Sequence, residues 1–460
     1  MNQKKINVRS YLGSLGVIFA LMVLTYILTF LIPAGEYARI ADANGNMIID
    51  AAGKFTYTQG GLPFWKWLLS PVLVLGAEGN TTLIAVIAFL LVIGGIFSAL
   101  NECDMIGYML SKIAHKFGHA RYRLMAVVVL FFMLLGSFVG SFEEVVPLVP
   151  IVTALAVSLG WDVLTGMGMS LIAVGCGFAS GIMNPFTVGV AQKLAGIPMF
   201  SGVWLRALSF VCIYALLFAF LYVHAKKVEK PAENETRSFE KNEKLDRAVL
   251  CFAVILLIGI LLIISSTFVT ALQDYTMIIV AVMFLVAGVS ASIIAGLRGK
   301  ALGKAFLSGV AGILPAVLMI LMASSIKYIL VESKVLDTIL YGAVNAAQAL
   351  PKVAVILFIY LIVLVMNFFI ASGSAKAFIL IPLIVPIAQI VGISPQLCIV
   401  AYAFGDGFSN VFYPTNPALL ISLGLADVSY GKYAGWSWKF QALNLVLTSA
   451  LLLLGLAVGY

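Results

Sequence analysis

The chain has 460 residues, 62% hydrophobic and 10% charged, with a mean hydropathy of +1.09. That composition excludes a soluble globular protein and calls for many bilayer-spanning runs. The formal charge of +8 does not point to a nucleic-acid partner, because the Lys and Arg fall mostly in short loops beside apolar runs, where they act as topology signals.

The first apolar run, from about Tyr11 to Ile32, follows Lys4, Lys5 and Arg9. It is longer than the hydrophobic region of a secretory signal and is read as a first transmembrane helix leaving the cytoplasm. Residues 33–80 then lie outside: Pro33 to Tyr37 ends the helix, Asn44-Gly45-Asn46 marks a hairpin-like turn, and Trp65 and Trp67 suit an interface. A span from Thr81 to Leu100 returns inward and delivers Lys112, His115, Lys116, His119, Arg121 and Arg123 to the cytoplasmic side, on an interfacial helix.

A polar tip, Gly140-Ser141-Phe142-Glu143-Glu144, then separates two apolar arms near 124–139 and 145–158. Sixteen helical residues reach about 24 Å against a hydrocarbon core of about 30 Å, so a re-entrant hairpin (124–158) is favoured over two full spans. A helix over 163–200 follows, interrupted by a Gly/Asn/Pro-rich break from Gly175 to Pro185, and Val203 to Val223 returns inward. The polar stretch 226–247 is a cytoplasmic linker between a first half (1–225) and a second half (248–460). Spans near 248–269, 276–297 and 311–330 come next, with Arg298, Lys300 and Lys304 marking another inner loop. A second hairpin (353–391) carries the tip Ser372-Gly373-Ser374-Ala375-Lys376. A second interrupted helix (396–425) breaks from Gly405 through Asn416-Pro417, and 434–459 is the final span. The fold class is an all-α polytopic membrane protein of about nine spanning segments plus two hairpins.

The second half repeats the first. Pro150 answers to Pro382, Gly160 to Gly392, Gly175 to Gly407, Asn184-Pro185 to Asn416-Pro417 and Trp204 to Trp436, all at one constant offset with no gap. Loop charge alone orients the two copies oppositely, which makes them inverted-topology repeats. Paired interrupted segments at corresponding places mark a transporter binding site.

The candidate substrate- and ion-binding residues sit at the tips and breaks: Ser141, Glu143 and Glu144; Asn184 and Thr187; Ser372, Ser374 and Lys376; and Asp406, Asn410, Thr415 and Asn416. Ionisable residues at membrane depth are costly and by default functional. The carboxylates can take a proton or sodium, or face a substrate ammonium, while Lys376 can hold a carboxylate or neutralise a neighbouring acid. The bland alternative, full spans with the tips in aqueous loops, stays open. His115, His119 and His224 fall at cytoplasmic helix ends and are expected at the surface. Five singly scattered cysteines indicate neither a disulfide framework nor a metal site. HExxH, GxSxG and GxxxxGK[ST] are all lacking, which argues against an enzyme and against an ATP-driven pump fuelled by this chain.

Several stretches resemble one family: Ile32-Pro33-Ala34-Gly35-Glu36-Tyr37, both hairpin tips, Met183-Asn184-Pro185-Phe186-Thr187 and Tyr413-Pro414-Thr415-Asn416-Pro417. They are similar to the YfcC branch of the C4-dicarboxylate anaerobic carrier (DcuC) family, itself similar to arginine/ornithine antiporters of the ArcD kind, within the ion-transporter superfamily. The resemblance implies a homodimer in the bacterial cytoplasmic membrane, with a scaffold domain and a mobile transport domain working by an elevator-type mechanism. Coupling to H+ or Na+, or exchange, is expected from the tip charges, with no cofactor. Sodium-coupled dicarboxylate carriers have Ser-Asn-Thr at the hairpin tips where this chain has charged tips. The expected substrate is therefore a small carboxylate-bearing metabolite, an amino acid or basic peptide ahead of a C4-dicarboxylate.

Overall fold

A computed structural model describes residues 8–41, 47–50, 54–77, 81–140, 142–230, 241–266, 276–348 and 350–460, without the side chains of a number of these residues, Glu143 and Glu144 among them. The expected turn at Asn44-Gly45-Asn46, the tip residue Ser141 and part of the expected linker lie outside the described residues. Among the described residues seven helices are long and apolar enough to cross a bilayer, or eight if the bent pair Ile87–Glu102 and Met105–Ile113 counts as one span.

The first half contains α1 (Val8–Leu31), α2 (Thr81–Glu102), α3 (Met105–Phe117), α4 (Arg121–Leu134), α5 (Val149–Ser158), α6 (163–180), α7 (185–194) and α8 (Val203–Val228). Helices α9 (Glu243–Ser266) and α10 (Thr276–Ala295) lead into the second half. There α11 (Gly299–Glu332), α12 (Leu336–Gln348), α13 (Lys352–Phe369), α14 (Gly373–Ile390), α15 (Pro395–Asn410), α16 (Pro417–Leu425) and α17 (Tyr430–Ala457) follow. The sequence α2 to α8 is thus matched element for element by α11 to α17, with Glu102 and Glu332 closing the first helix of each set. Helix α11 starts earlier than the span expected near 311–330, so Lys300 and Lys304 sit on its first turns rather than in a loop.

One small non-helical addition accompanies the all-α bundle. Four three-residue strands follow α1 and pair antiparallel, β1 (Gly35–Tyr37) with β4 (Phe55–Tyr57) and β2 (Arg39–Ala41) with β3 (Met47–Ile49). They are tied to the start of α12, where Asp337 pairs with Arg39 at 2.9 Å and accepts from Tyr37 N at 3.0 Å.

The duplicated Asn-Pro pairs have a local cause. Asn184 Oδ1 accepts from Phe186 N and Thr187 N at 2.9 and 3.3 Å, and Asn416 Oδ1 accepts from Leu419 N at 3.3 Å. In each case Pro occupies the first helical position, where its missing N–H costs nothing. Each Asn-Pro restarts a helix after an interruption.

The interruptions are shorter than the sequence suggests. Helix α6 continues to Ser180 and α15 to Asn410, so the expected breaks beginning at Gly175 and Gly405 narrow to 181–184 and 411–416. The glycines serve close packing instead of ending the helix. A Cβ on Gly407 would stand 2.3 Å from Ala179 Cα, so α15 crosses α6 nearly backbone to backbone. Both helices are almost wholly buried there, Ala173 to Ser180 and Leu397 to Asn410 without interruption.

The two broken helices run in opposite directions. Gln396, at the start of α15, accepts from Gln192 Nε2 at 3.1 Å at the end of α7, while Asp162, at the start of α6, lies against His224 at the far end of α8. Around this core α9 packs on α10, α10 on α2, α2 on α11 and α11 on α1.

Candidate functional site

The second hairpin brings its tip against α15. Its arms α13 and α14 have 18 residues each, about 27 Å, so length alone no longer decides between spanning and re-entrant readings. Packing is more informative, because the tip lies against Asp406, which stands about 17 Å along α15 from Pro395. Ser372 caps α14 by accepting from Ala375 N at 3.4 Å, and the next side chain facing inward is Lys376.

Lys376 and Asp406 are both fully buried and form an ion pair at 2.5 Å. The Lys376 ammonium also donates to Ile370 O at 3.2 Å and to Asn367 Oδ1. Asn367, on the ascending arm α13, is a hub that the sequence reading missed. Its Nδ2 donates to Asp406 O (3.1 Å), Ser409 Oγ (2.7 Å) and Asn410 Oδ1 (2.9 Å), and Asn416 Nδ2 donates to the same Asn410 oxygen at 3.0 Å. The available signal was an amide inside an otherwise apolar helix, which must be satisfied by neighbours.

Taking two charges out of water costs several kcal/mol per ion unless geometry and added hydrogen bonds compensate. Here one side of the pair is compensated and the other is open. Lys376 has three acceptors, whereas Asp406 Oδ2 has no hydrogen-bond partner among the described residues. Asn184 Nδ2, Thr187 Oγ1 and Thr415 Oγ1 are also buried without one. Such groups are rare and call for an explanation. Asp406 and Thr187 belong together, because a Cβ built on Gly373 would lie 2.6 Å from Asp406 Oδ2 and 2.6 Å from Thr187 Cγ2. Hairpin tip, second broken helix and first break therefore meet at one place.

The first tip reaches its own break. A Cβ on Gly140 would lie 2.4 Å from Asn184 Oδ1, Ser137 Oγ accepts from Ile182 N at 3.0 Å, and Ser137 O accepts from Met183 N at 3.1 Å. Of the residues singled out from sequence, Lys376, Asp406, Asn410 and Asn416 share one network, with Thr187 adjoining it and Asn184 at the first break. Thr415 is buried at the second break, Ser374 is half-buried, and Ser372 is exposed with a capping role only. Ser141 and the side chains of Glu143 and Glu144 lie outside the described residues.

Two more side chains were not foreseen in these positions. Arg206, fully buried in α8, donates to Ile182 O at 3.2 Å and Phe200 O at 3.3 Å, bracing the first break. At the second break the matching support comes from Tyr433, whose hydroxyl donates to Val411 O at 2.7 Å. His224 corrects an expectation: instead of lying free at the surface it is half-buried, with Nε2 3.1 Å from Asp162 Oδ1. The reason is that α8 lies along α6, so a helix-end position faces a neighbour.

Apolar, membrane-length helices thus enclose a buried charged site between two interrupted helices, and the family match assigns that arrangement to a membrane carrier. The family model for the C4-dicarboxylate anaerobic carrier matches residues 13–457, and the chain belongs to that family. A relative in Escherichia coli strain K12, described as "Putative basic amino acid antiporter YfcC", is 30% identical over 82% of this chain and 79% of its own length. An uncharacterized protein of Haemophilus influenzae is 23% identical over 82% of this chain and 76% of its own. Among solved structures, the YdaH transporter of Alcanivorax borkumensis is similar at 18% identity and a TM-score of 0.45, covering 98% of this chain and 99% of that one.

Proposed function

We propose that this protein is a secondary carrier for an amino acid or basic peptide in the bacterial cytoplasmic membrane, working by exchange or ion coupling. The observation that carries the reading is the buried Lys376–Asp406 pair, with Asp406 Oδ2 beside Thr187 and Gly373 and unpartnered among the described residues. A substrate ammonium satisfies the open carboxylate oxygen, while the three donors of Lys376 are already engaged by Asn367, Ile370 and Asp406. A C4-dicarboxylate brings two negative charges to a place where the one lysine is already paired, so it is the second reading, favoured by the family's name. The description of the Escherichia coli relative as a basic amino acid antiporter agrees with the first.

The opposite running of the two broken helices supports inverted repeats, and the burial of both breaks in one core supports their moving together as an elevator-type transport domain within a homodimer. Lys4, Lys5 and Arg9 at the start of the first apolar run favour a cytoplasmic amino terminus.

Counterflow in proteoliposomes tests the function. Vesicles preloaded with an unlabelled basic amino acid are expected to accumulate the labelled one without chemical conversion. Accumulation with C4-dicarboxylates alone would replace the first reading by the second, and conductance far above carrier rates would point to a channel.

Coupling is a separate expectation. Glu143 and Glu144 occupy first-tip positions matched in the second copy by Ala375 and Lys376, so the two tips differ in charge and take different roles. Ionisable side chains at membrane depth are by default functional, and a carboxylate there is a candidate for the coupling proton. Glu143→Gln or Glu144→Gln is expected to abolish the pH dependence of uptake while substrate still binds. If both variants keep the wild-type pH profile, coupling must be sought at Asp406.

A further inference from the structure

Outside the buried site, a cavity of about 430 Å³ opens where the end of α8 meets the start of α17. Its floor is aromatic: the Trp436 ring lies 5.3 Å from Phe220 and 5.2 Å from His224. Its rim carries the ammonium groups of Lys227, Lys432 and Lys439, and none of the lining residues is acidic. Among the described residues none of these three lysines is ion-paired. The nearest acid on α6, Asp162, is taken up by His224 and Thr165.

Three like charges drawn to one concavity repel each other, and a nearby acidic side chain would ordinarily relieve them. The surroundings indicate which anion does so. Val223 and Trp438, on the same two helix ends, are 53% and 51% exposed, and Tyr222 beside them is 39% exposed. Apolar and aromatic surface turned outward at a helix end is the lipid-facing interface, where Trp and Tyr sit at headgroup level and lysines reach past them to phosphate. A soluble anion would use the ammonium groups but gain nothing from that apolar margin, whereas a lipid uses both.

We propose that this cavity is a binding site for the headgroup of an anionic phospholipid, its phosphate held by Lys227, Lys432 and Lys439 and its acyl chains lying along α8 and α17. Basic pockets between membrane helices suit such headgroups. Because His224 lines the cavity and also holds Asp162, which caps α6, the headgroup sits one side chain away from the start of the first broken helix.

The test uses the full-length chain, delipidated in detergent, with native mass spectrometry and thermal unfolding as readouts. Phosphatidylglycerol is expected to bind and raise the unfolding temperature, phosphatidylcholine and inorganic phosphate to do neither. The triple variant Lys227→Gln, Lys432→Gln, Lys439→Gln should bind phosphatidylglycerol about tenfold more weakly, and the corresponding Lys→Arg triple should bind as wild type. Lys300→Gln with Lys304→Gln, which removes positive charge from exposed turns of α11 outside the cavity, should also leave binding unchanged. Equal loss in that control would overturn the site in favour of general surface charge. Equal stabilisation by inorganic phosphate would overturn the lipid in favour of a soluble anion, and equal binding of phosphatidylcholine would remove the role of the lysines.

Discussion

Lys376→Met is expected to abolish exchange in proteoliposomes and to lower stability by about 3–5 kcal/mol, since it leaves Asp406 charged, fully buried and without its cation. Asp406→Asn should behave alike on transport, because the ammonium of Lys376 then faces only neutral acceptors, Asn367 Oδ1 and Ile370 O. The informative variant combines Lys376→Met with Asp406→Leu. Replacing a buried pair by apolar side chains is often neutral or stabilising, so unfolding temperature should largely recover while exchange stays absent. That separation distinguishes a site from a structural strut. Near-wild-type exchange in either single variant, or recovery of exchange in the double, would make the pair structural and move the substrate elsewhere.

Gly407→Leu is expected to prevent folding altogether. The first carbon of any side chain there would stand 2.3 Å from Ala179 Cα and 2.4 Å from Ala179 N, both backbone atoms that cannot swing aside. Even Gly407→Ala overpacks the crossing of α6 and α15 and should cost about 1–3 kcal/mol or more. The comparison is Gly303→Ala on α11, where an added Cβ meets nothing within 4 Å; there the better helix propensity of Ala should be neutral or stabilise by about 0.5–1 kcal/mol. Monodispersity on size-exclusion chromatography and unfolding temperature read both. Wild-type behaviour of Gly407→Leu would mean that the two broken helices do not pack as closely as described.

The sequence by itself determined what depends on composition and on neighbours along the chain. Apolar length dictates a membrane bundle because unsatisfied backbone is intolerable in hydrocarbon. Asn followed by Pro dictates a helix restart, since the amide caps the orphan N–H groups and the ring suits the first turn. Duplication of that signal at one offset was enough to place both interruptions, and the tip motifs with the two Asn-Pro stretches pointed to the family. Only the tertiary structure decided which polar groups meet. Nothing along the chain says that Lys376 pairs with Asp406, that Asn367 joins the hairpin arm to the second broken helix, or that Thr187 of the first half adjoins Gly373 of the second. The Gly-rich stretches read locally as breaks, yet Gly407 lies in unbroken helix because a second backbone occupies the space its side chain would need. Likewise His224, at a helix end, became a partner of Asp162 because α8 runs beside α6. Helix starts follow from bonds between residues a few positions apart, whereas pairing, burial and close crossing depend on segments hundreds of residues distant, whose contacts exist only once the bundle has assembled.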